Sequence, residues 1–552
     1  MTIHSGDDSV DDPVSALFEK AAAAYADRDF LHVPWEACRD YSPIAVTVTY
    51  SDARVRVAGL AARFRAAGYG AGHRIAVALD NRPEFFLHFL ALNSLGASIV
   101  PLNAAMSMAE LAYVLEHSDA SLAVTHRGHE AHLKAALTNN IALWIAGEEG
   151  ERVPPPTAAT AATAAPVASS GEAALLYTSG STGTPKGCVL SNEYFMEVGR
   201  LYTGLGGYCR FGIGDRLATP LPVTHMNALA VSFMAMLMTG GCLVQLDRFH
   251  PSTWWQSLRD ARATAFHYLG VMPAMLLKAR PSPSDDFRGV LRFGFGAGVD
   301  PRHHAAFETR FGVPLIEAWA MTETGAGAWI TANREPRHVG QRCFGKAPPG
   351  LAYRIVDDAQ NDTERGVAGE LWVRREGEAP RRGFFSGYYK DEAATRQAWA
   401  GGWFKTGDLV RQGDDGAFFF VDRSKNIIRR SGENIAAVEV ESALQAHPDV
   451  LASAVCPVPD ELRGEEVFAF VVLRPGRSGS LESATRLQAH CRQALAYYKS
   501  PGFIGFCAAL PQTASQKLAR AEIKKLGAGA VASGEAFDLR QLKQRAARGA
   551  ES

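Results

Sequence analysis

No two of the eight cysteines in this 552-residue chain form a C-x-x-C pair, and none clusters with histidine at zinc spacing. Cys38, Cys188, Cys209, Cys242, Cys343, Cys456, Cys491 and Cys507 are scattered, which excludes a disulfide framework and points to free thiols in a reducing compartment. An excess of one charge is also missing: 57 basic residues face 58 acidic ones. Nothing therefore pulls the whole chain toward nucleic acid or an anionic membrane. Long hydrophobic runs are absent as well, since the stretch from Ala228 to Met238 is too short to span a bilayer and is followed by Gly240-Gly241. The first residues, Met1 to Pro13, carry four aspartates and no basic, apolar leader. The expectation is a cytoplasmic protein with no integral membrane association and no nucleic-acid partner. Internal repeats are not evident, and the oligomeric state, a homodimer included, stays open.

What is present is an ordinary globular composition, 47% hydrophobic and 21% charged, in a chain longer than one core usually organises. Two or more domains are expected. From Thr49 strand-like and helix-like segments alternate. Ser51 is a candidate cap for a helix carrying Val55, Leu60, Ala61 and Phe64, after which Arg74 to Leu79 reads as a strand, Pro83 to Leu95 as a helix and Ala97 to Leu102 as a strand. Such alternation predicts an α/β fold: a large N-terminal domain of stacked, mostly parallel sheets with helices. An alanine- and proline-rich run over residues 154–170 reads as a surface connector. Residues 340–422 change texture to short strands between glycine-rich turns, a β-rich subdomain. Asp422 to Asn434 looks like a charged linker, and a small α+β C-terminal domain follows, with helices at Val438 to Gln445 and Leu487 to Tyr498. The expected boundary lies between residues 422 and 423.

The stretch Y-T-S-G-S-T-G-T-P-K-G, from Tyr177 to Gly187, carries the chemistry. It follows an apolar strand, has no side chain to bury, and packs hydroxyls, glycines and one lysine together. Backbone N–H groups freed by glycine can converge on an anion. Thr178, Ser179, Gly180, Ser181, Thr182, Gly183, Thr184 and Lys186 thus form a candidate polyphosphate cradle. Pro185 before the lysine and Gly187 after it remove the G-K-[ST] ending of a P-loop. Further strands end in small or polar residues, at Gly296-Ala297-Gly298 and at Ala320-Met321-Thr322-Glu323, where ligands bind in open α/β sheets.

Five motifs in order make the chain resemble the adenylate-forming superfamily of acyl-CoA synthetases, peptide-synthetase adenylation domains and firefly luciferases. They are the loop at Tyr177, W-A-M-T-E-T at Trp319, T-G-D at Thr406, D-R-S-K-N-I-I-R-R-S-G-E-N-I at Asp422 and P-Q-T-A-S-Q-K-L-A-R at Pro511. The run F-F-F-V-D-R ending at Arg423, with Gly432-Glu433-Asn434, is most similar to crotonobetaine/carnitine–CoA ligase-type enzymes. The resemblance implies an AMP-forming acid–thiol ligase: a small carboxylic acid attacks ATP to give an acyl-adenylate, and coenzyme A then displaces AMP. An anion meeting a polyanion needs cationic charge and a metal. By the resemblance the loop holds the β- and γ-phosphates, Thr322 the α-phosphate, and Glu323 with Thr178 a magnesium ion. Asp408 and Arg423 bind the ribose. Gly296, Ala297 and Gly298, with Glu317, Ala318, Trp319, Ala320 and Met321, surround the nucleotide. Trp319 and Ala320 replace a usual tyrosine and glycine, and the indole is expected to stack on adenine.

Lys517 carries adenylation, although Gln516 stands where the family has glycine. Lys425 is the hinge about which the mobile C-terminal domain turns. Ser431, Gly432, Glu433 and Arg463 then face coenzyme A. His225 gates an acyl pocket walled by Met226, Asn227, Phe295, Gly296, Met321 and Ala326, which suits an uncharged aliphatic or aromatic tail. A freestanding adenylation enzyme that loads a carrier protein and a non-catalytic nucleotide-binding relative are the alternatives.

Overall fold

The computed structural model describes residues 12–103, 106–137, 140–147, 152–157, 167–178, 185–423, 426–430, 433–461, 463–512 and 518–543. Three sheets organise them, of thirteen, seven and six strands. At the centre of the largest, Leu315–Trp319, Phe293–Ala297, Ala265–Leu269, Arg216–Thr219, Cys242–Gln245 and Asp29–Val33 run parallel. In the second, Glu172–Thr178, Ser98–Pro101, Arg74–Ala78, Ala120–Thr125 and Ala142–Ile145 are likewise parallel, as alternation predicts.

Helices lie between these two sheets. Pro83–Asn93 begins on proline, whose missing N–H costs nothing at a helix start, and buries ten of its eleven side chains. A helix apolar all round belongs in a core. Its Phe86 stacks on Phe233 of Phe233–Thr239 at 4.8 Å, inside one cluster that spans both sheets. Truncating either ring would cost about 3–5 kcal/mol. The helix Tyr50–Ala66 is capped by Thr49, which accepts from the Asp52 N–H at 3.1 Å, not by Ser51. Its buried face is Tyr50, Ala53, Val57, Ala61 and Phe64, so Val55 is exposed.

Two further expectations change. The strands of the β-rich stretch, Leu351–Val356, Gly369–Arg375, Phe404–Gln412 and Ala417–Arg423, do not form a sheet of their own. They continue the thirteen-stranded sheet through Cys343–Lys346 and Ile330–Thr331. The charged stretch after Asp422 is not a linker for most of its length. Ile427–Arg430 and Glu433–Ala436 pair as a hairpin of the six-stranded sheet, with Ile428 and Ile435 fully buried. That sheet is completed by Val450–Asp460, Gly464–Leu473, Phe503–Phe506 and Phe537–Asp538, and covered by Ala437–Gln445, Leu481–Ala494 and Arg520–Ser533. The second of these helices starts six residues earlier than its periodicity suggests, because Ser480 caps it by accepting from the Ser483 N–H, and it ends at Ala494.

Side chains also link the six-stranded sheet and its helices to the thirteen-stranded sheet. Asp422, 2% exposed, accepts from the Val438 N–H at 3.1 Å and from Asn426 at 3.2 Å. Arg342 donates to Ser442 at 3.0 Å, and Arg429 pairs with Asp358 at 3.0 Å.

Candidate functional site

The glycine-rich stretch connects two antiparallel strands, Glu172–Thr178 and Lys186–Ser191, whose register pairs Thr178 with Lys186. Its two ends are therefore held side by side at the carboxyl edge of the second sheet. Ser179 to Thr184, Lys425, Ser431, Gly432 and Lys517 lie outside the described residues, as does the Glu433 side chain. Lys186 sits 3.6 Å from Asp391 and 5.0 Å from the centre of the Tyr388 ring.

Tyr388 joins this edge to the next motif. Its hydroxyl donates to Glu323 Oε1 at 3.0 Å. Glu323 is 8% exposed and lies against the Cys188 thiol, which also meets the Thr178 hydroxyl at 3.9 Å. Burial, reinforced by the Glu323 charge, raises the Cys188 pKa, so this sulfur stays protonated. Thr178 and Glu323, 145 positions apart, thus bring two oxygen donors to one thiol, and hard oxygens are what magnesium takes. Thr322 is set by Tyr194, whose hydroxyl donates to its carbonyl at 2.9 Å, and the Met321 N–H is satisfied by buried Thr324 at 2.9 Å.

Asp408 lies in Phe404–Gln412 with 1% of its surface exposed. The Trp319 indole N–H donates to its Oδ2 at 2.8 Å, and Arg423 Nε lies 2.9 Å from its Oδ1. Neighbouring strands explain the second contact, since Asp408 and Arg423 are register partners. Trp319 is 6% exposed with its N–H committed to Asp408, so the indole orients the carboxylate.

Glu317 lies behind the Gly298 turn. It is buried, accepts from Tyr268 at 2.7 Å, and takes the N–H groups of Gly298 and Val299 at 2.9 and 3.3 Å. Burial raises its pKa against those hydrogen bonds. Its work is to hold the end of Phe293–Ala297, where Ala297 is exposed. Glycine is required at Gly296, where a Cβ would stand 2.2 Å from the Tyr268 carbonyl oxygen, and Gly298 has φ +80°. Ala318, Ala320 and Met321 are partly buried against the core.

Asn81 braces the loop that carries His225. It donates to Leu221 O at 3.2 Å and accepts from the Val223 N–H at 2.9 Å. Met226 and Asn227 are half-buried, while Phe295 and Ala326 are buried. Arg463 is exposed, in the turn joining Val450–Asp460 to Gly464–Leu473. Tyr388, Tyr194 and Cys188 escaped the sequence reading because no motif spacing marks them.

One His/carboxylate cluster of metal-ligating type exists among the described residues: Asp80 with His126 and His129, each imidazole Nε2 2.8 Å from Asp80 Oδ2. Burial pushes the Asp80 carboxyl up, but the two hydrogen bonds outweigh it and hold the carboxyl well below the usual range. His126 Nδ1 accepts from the Gly128 N–H at 3.1 Å. The ring proton therefore sits on Nε2, which leaves no lone pair there for a metal.

Comparison with known proteins gives the family. The AMP-binding enzyme family matches over residues 18–389 and the AMP-binding enzyme C-terminal domain over residues 439–517. The chain is 32% identical over 522 residues to a sulfoacetate–CoA ligase of Cupriavidus necator, covering 93% of this chain and 97% of that one. It is 30% identical to a crotonobetaine/carnitine–CoA ligase of Proteus mirabilis, over 86% of this chain and 93% of the relative. Among solved structures, the Bacillus subtilis o-succinylbenzoate CoA synthetase in complex with its acyl-adenylate intermediate superposes with a TM-score of 0.76 at 25% identity, over 93% of this chain and 98% of that one.

Proposed function

The chain belongs to the AMP-binding enzyme family, and from that premise we propose that it is an ATP-dependent carboxylate–CoA ligase that forms an acyl-adenylate and passes the acyl group to coenzyme A. The observation that carries the reading is the convergence of Trp319 and Arg423 on the buried carboxylate of Asp408, which joins three motifs. A carboxylate so held can accept hydrogen bonds from two adjacent ribose hydroxyls. Thr178 to Lys186 would then hold the β- and γ-phosphates and Thr322 the α-phosphate. Glu323 and Thr178 would hold magnesium, which when bound supplies positive charge to the phosphate oxygens. Ala297 and Gly298 leave an open edge for adenine.

Lys517 would place its ammonium between the substrate carboxylate and the α-phosphate, offsetting charge on the bridging oxygens. Residues 1–422 would form the large domain and residues 423–552 a small one that turns about Lys425, a division supported by the change of sheet between Arg423 and Ile427. Ser431, Gly432, Glu433 and Arg463 would then meet coenzyme A. Eight cysteines without a disulfide support a reducing, cytoplasmic setting. No helix among the described residues is long and apolar enough to cross a membrane.

Carboxylate-dependent ATP–pyrophosphate exchange over a broad acid panel tests the reading. Exchange with at least one acid is expected, and its absence across the panel would leave a non-catalytic nucleotide binder. Lys517→Ala should abolish exchange yet leave thiolysis of supplied acyl-adenylate largely intact; equal loss of both would remove Lys517 from its role. Replacing coenzyme A with a phosphopantetheinylated carrier separates a ligase from a carrier-loading enzyme.

A further inference from the structure

Beyond His225 and Met226 the chain enters a helix whose first turns, Asn227–Ser232, are π-helical before α geometry resumes at Phe233. Such turns mark functional sites more often than chance, because they re-aim side chains. Here the wide turn brings Ser232 Oγ to within 3.0 Å of the Asn227 carbonyl oxygen and 2.8 Å of His267 Nδ1. His267 is fully buried in Ala265–Leu269, and burial pushes its pKa down to about 3. The ring is neutral, with one donor nitrogen and one acceptor.

Which nitrogen is which follows from its partners. Asn227 Oδ1 can only accept, and it lies 2.6 Å from His267 Nδ1, so Nδ1 carries the proton. His267 Nε2 then accepts from the Tyr202 hydroxyl at 2.8 Å. In the relay Tyr202 → His267 → Asn227 each donor meets an acceptor, with the Asn227 carboxamide oxygen turned inward. The amide nitrogen is the other arm of the carboxamide, on a half-buried residue. The residues around the relay are those of the expected acyl pocket. Phe295 packs 5.3 Å from the His267 ring, and the Tyr194 hydroxyl lies 3.7 Å from the Met226 sulfur while donating to Thr322.

Resting on the ligase reading, we propose that Asn227 Nδ2 donates a hydrogen bond to the tail of the substrate, and that the substrate is a carboxylic acid with an uncharged acceptor oxygen, such as a ketone, ether or amide, away from its carboxylate. An all-hydrocarbon tail leaves a desolvated N–H pair unmet, which a binding site penalises heavily. A second anion fits no better: among the described residues no ammonium or guanidinium hydrogen-bonds to Tyr202, Ser232, His267 or Asn227, and His267 is neutral.

The test is ATP–pyrophosphate exchange by the full chain with matched trios of acids, in aliphatic and aromatic series. Each trio contains an oxo-acid, the hydrocarbon acid of the same size and the corresponding dicarboxylate. The oxo-acid should lead in kcat/KM by roughly tenfold or more in the series that fits. Asn227→Leu, of similar volume and without the donor, should bring that ratio to about one with the KM for ATP unchanged. Equal or better use of the hydrocarbon acid or dicarboxylate by the wild type overturns the proposal while the ligase reading stands. A retained preference in a folded Asn227→Leu variant overturns it too. If that variant does not fold, by circular dichroism, the wild-type ranking alone decides. Exchange with no acid at all would remove the ligase reading and this inference together.

Discussion

Asp408 in the thirteen-stranded sheet and Glu466 in the six-stranded sheet are both strand carboxylates with essentially no exposed surface, and both are met by cationic side chains. They differ in what surrounds the cation. Arg423, beside Asp408, keeps 45% of its side chain in solvent. Around Glu466, Arg430 is 3% exposed at 2.8 Å and Lys543 is 0% exposed at 2.6 Å, with the Val467 N–H donating as well at 2.8 Å. Glu466 is saturated and sealed, as a structural ion cluster must be to offset its desolvation. Asp408 is met by an indole and by a guanidinium that water reaches. The exposed guanidinium is the side from which a ligand would approach. Burial of a carboxylate, then, does not separate site from scaffold; exposure of its partner does.

Removing each charge should break the comparison in opposite ways. Glu466→Gln leaves Arg430 and Lys543 buried without compensation and should lower stability by about 3–5 kcal/mol in chemical denaturation, with the KM for ATP unchanged in whatever remains folded. Asp408→Asn frees an arginine that solvent already reaches. It should cost little stability but raise the KM for ATP by roughly thirtyfold, about 2 kcal/mol, because hydrogen bonds to a charged acceptor are lost. If Asp408→Asn unfolds the protein as readily as Glu466→Gln does, the distinction fails.

A smaller effect sharpens it. Trp319→Phe removes the N–H on Asp408 Oδ2 together with one ring of the indole, and should raise the KM for ATP about fivefold, about 1 kcal/mol, while the smaller ring also lowers the melting temperature. An unchanged KM would mean that Arg423 alone orients the carboxylate.

The smallest effect is a pH dependence. Burial pushes the Lys543 pKa down from 10.5 to about 8, with Glu466 opposing. With the folded pKa depressed, the unfolded chain binds more protons above about pH 8, so the contribution of Lys543 to stability rises with pH. Between about pH 7.5 and about pH 8.5 the wild type should gain about half a kcal/mol over Lys543→Met. A gain in the other direction would place the titration elsewhere.

Much of this architecture was legible from local pattern. Strand–helix alternation is written residue by residue, so the two parallel sheets follow from it. Thr178, Thr322 and Glu323 stand at or just after strand ends, where the alternation put candidate ligand groups, whereas the pairing of Asp408 with Arg423 on neighbouring strands was not foreseen. What pattern missed is pairing over long separations. The strands of residues 340–422 look like a separate unit because their turns are short and local, yet Cys343–Lys346 and Ile330–Thr331 join them to the parallel sheet. The stretch after Asp422 reads as a linker because its charges dominate, yet Ile428 and Ile435 alternate inward and make it a hairpin.

The sequence by itself determined the fold class and the reaction family, because helix and strand periodicity and motif order are properties of the chain alone. Only the tertiary structure decided that the Trp319 indole serves Asp408, that Glu317 braces Gly298 and Val299, that Tyr388 ties Glu323 to the Lys186 edge, and that Tyr202 and His267 turn the Asn227 carboxamide oxygen inward. Each of these is a hydrogen bond or ring contact between residues far apart in the chain, and its geometry exists only once neighbouring strands and helices have set the two side chains within about 3 to 5 Å of one another.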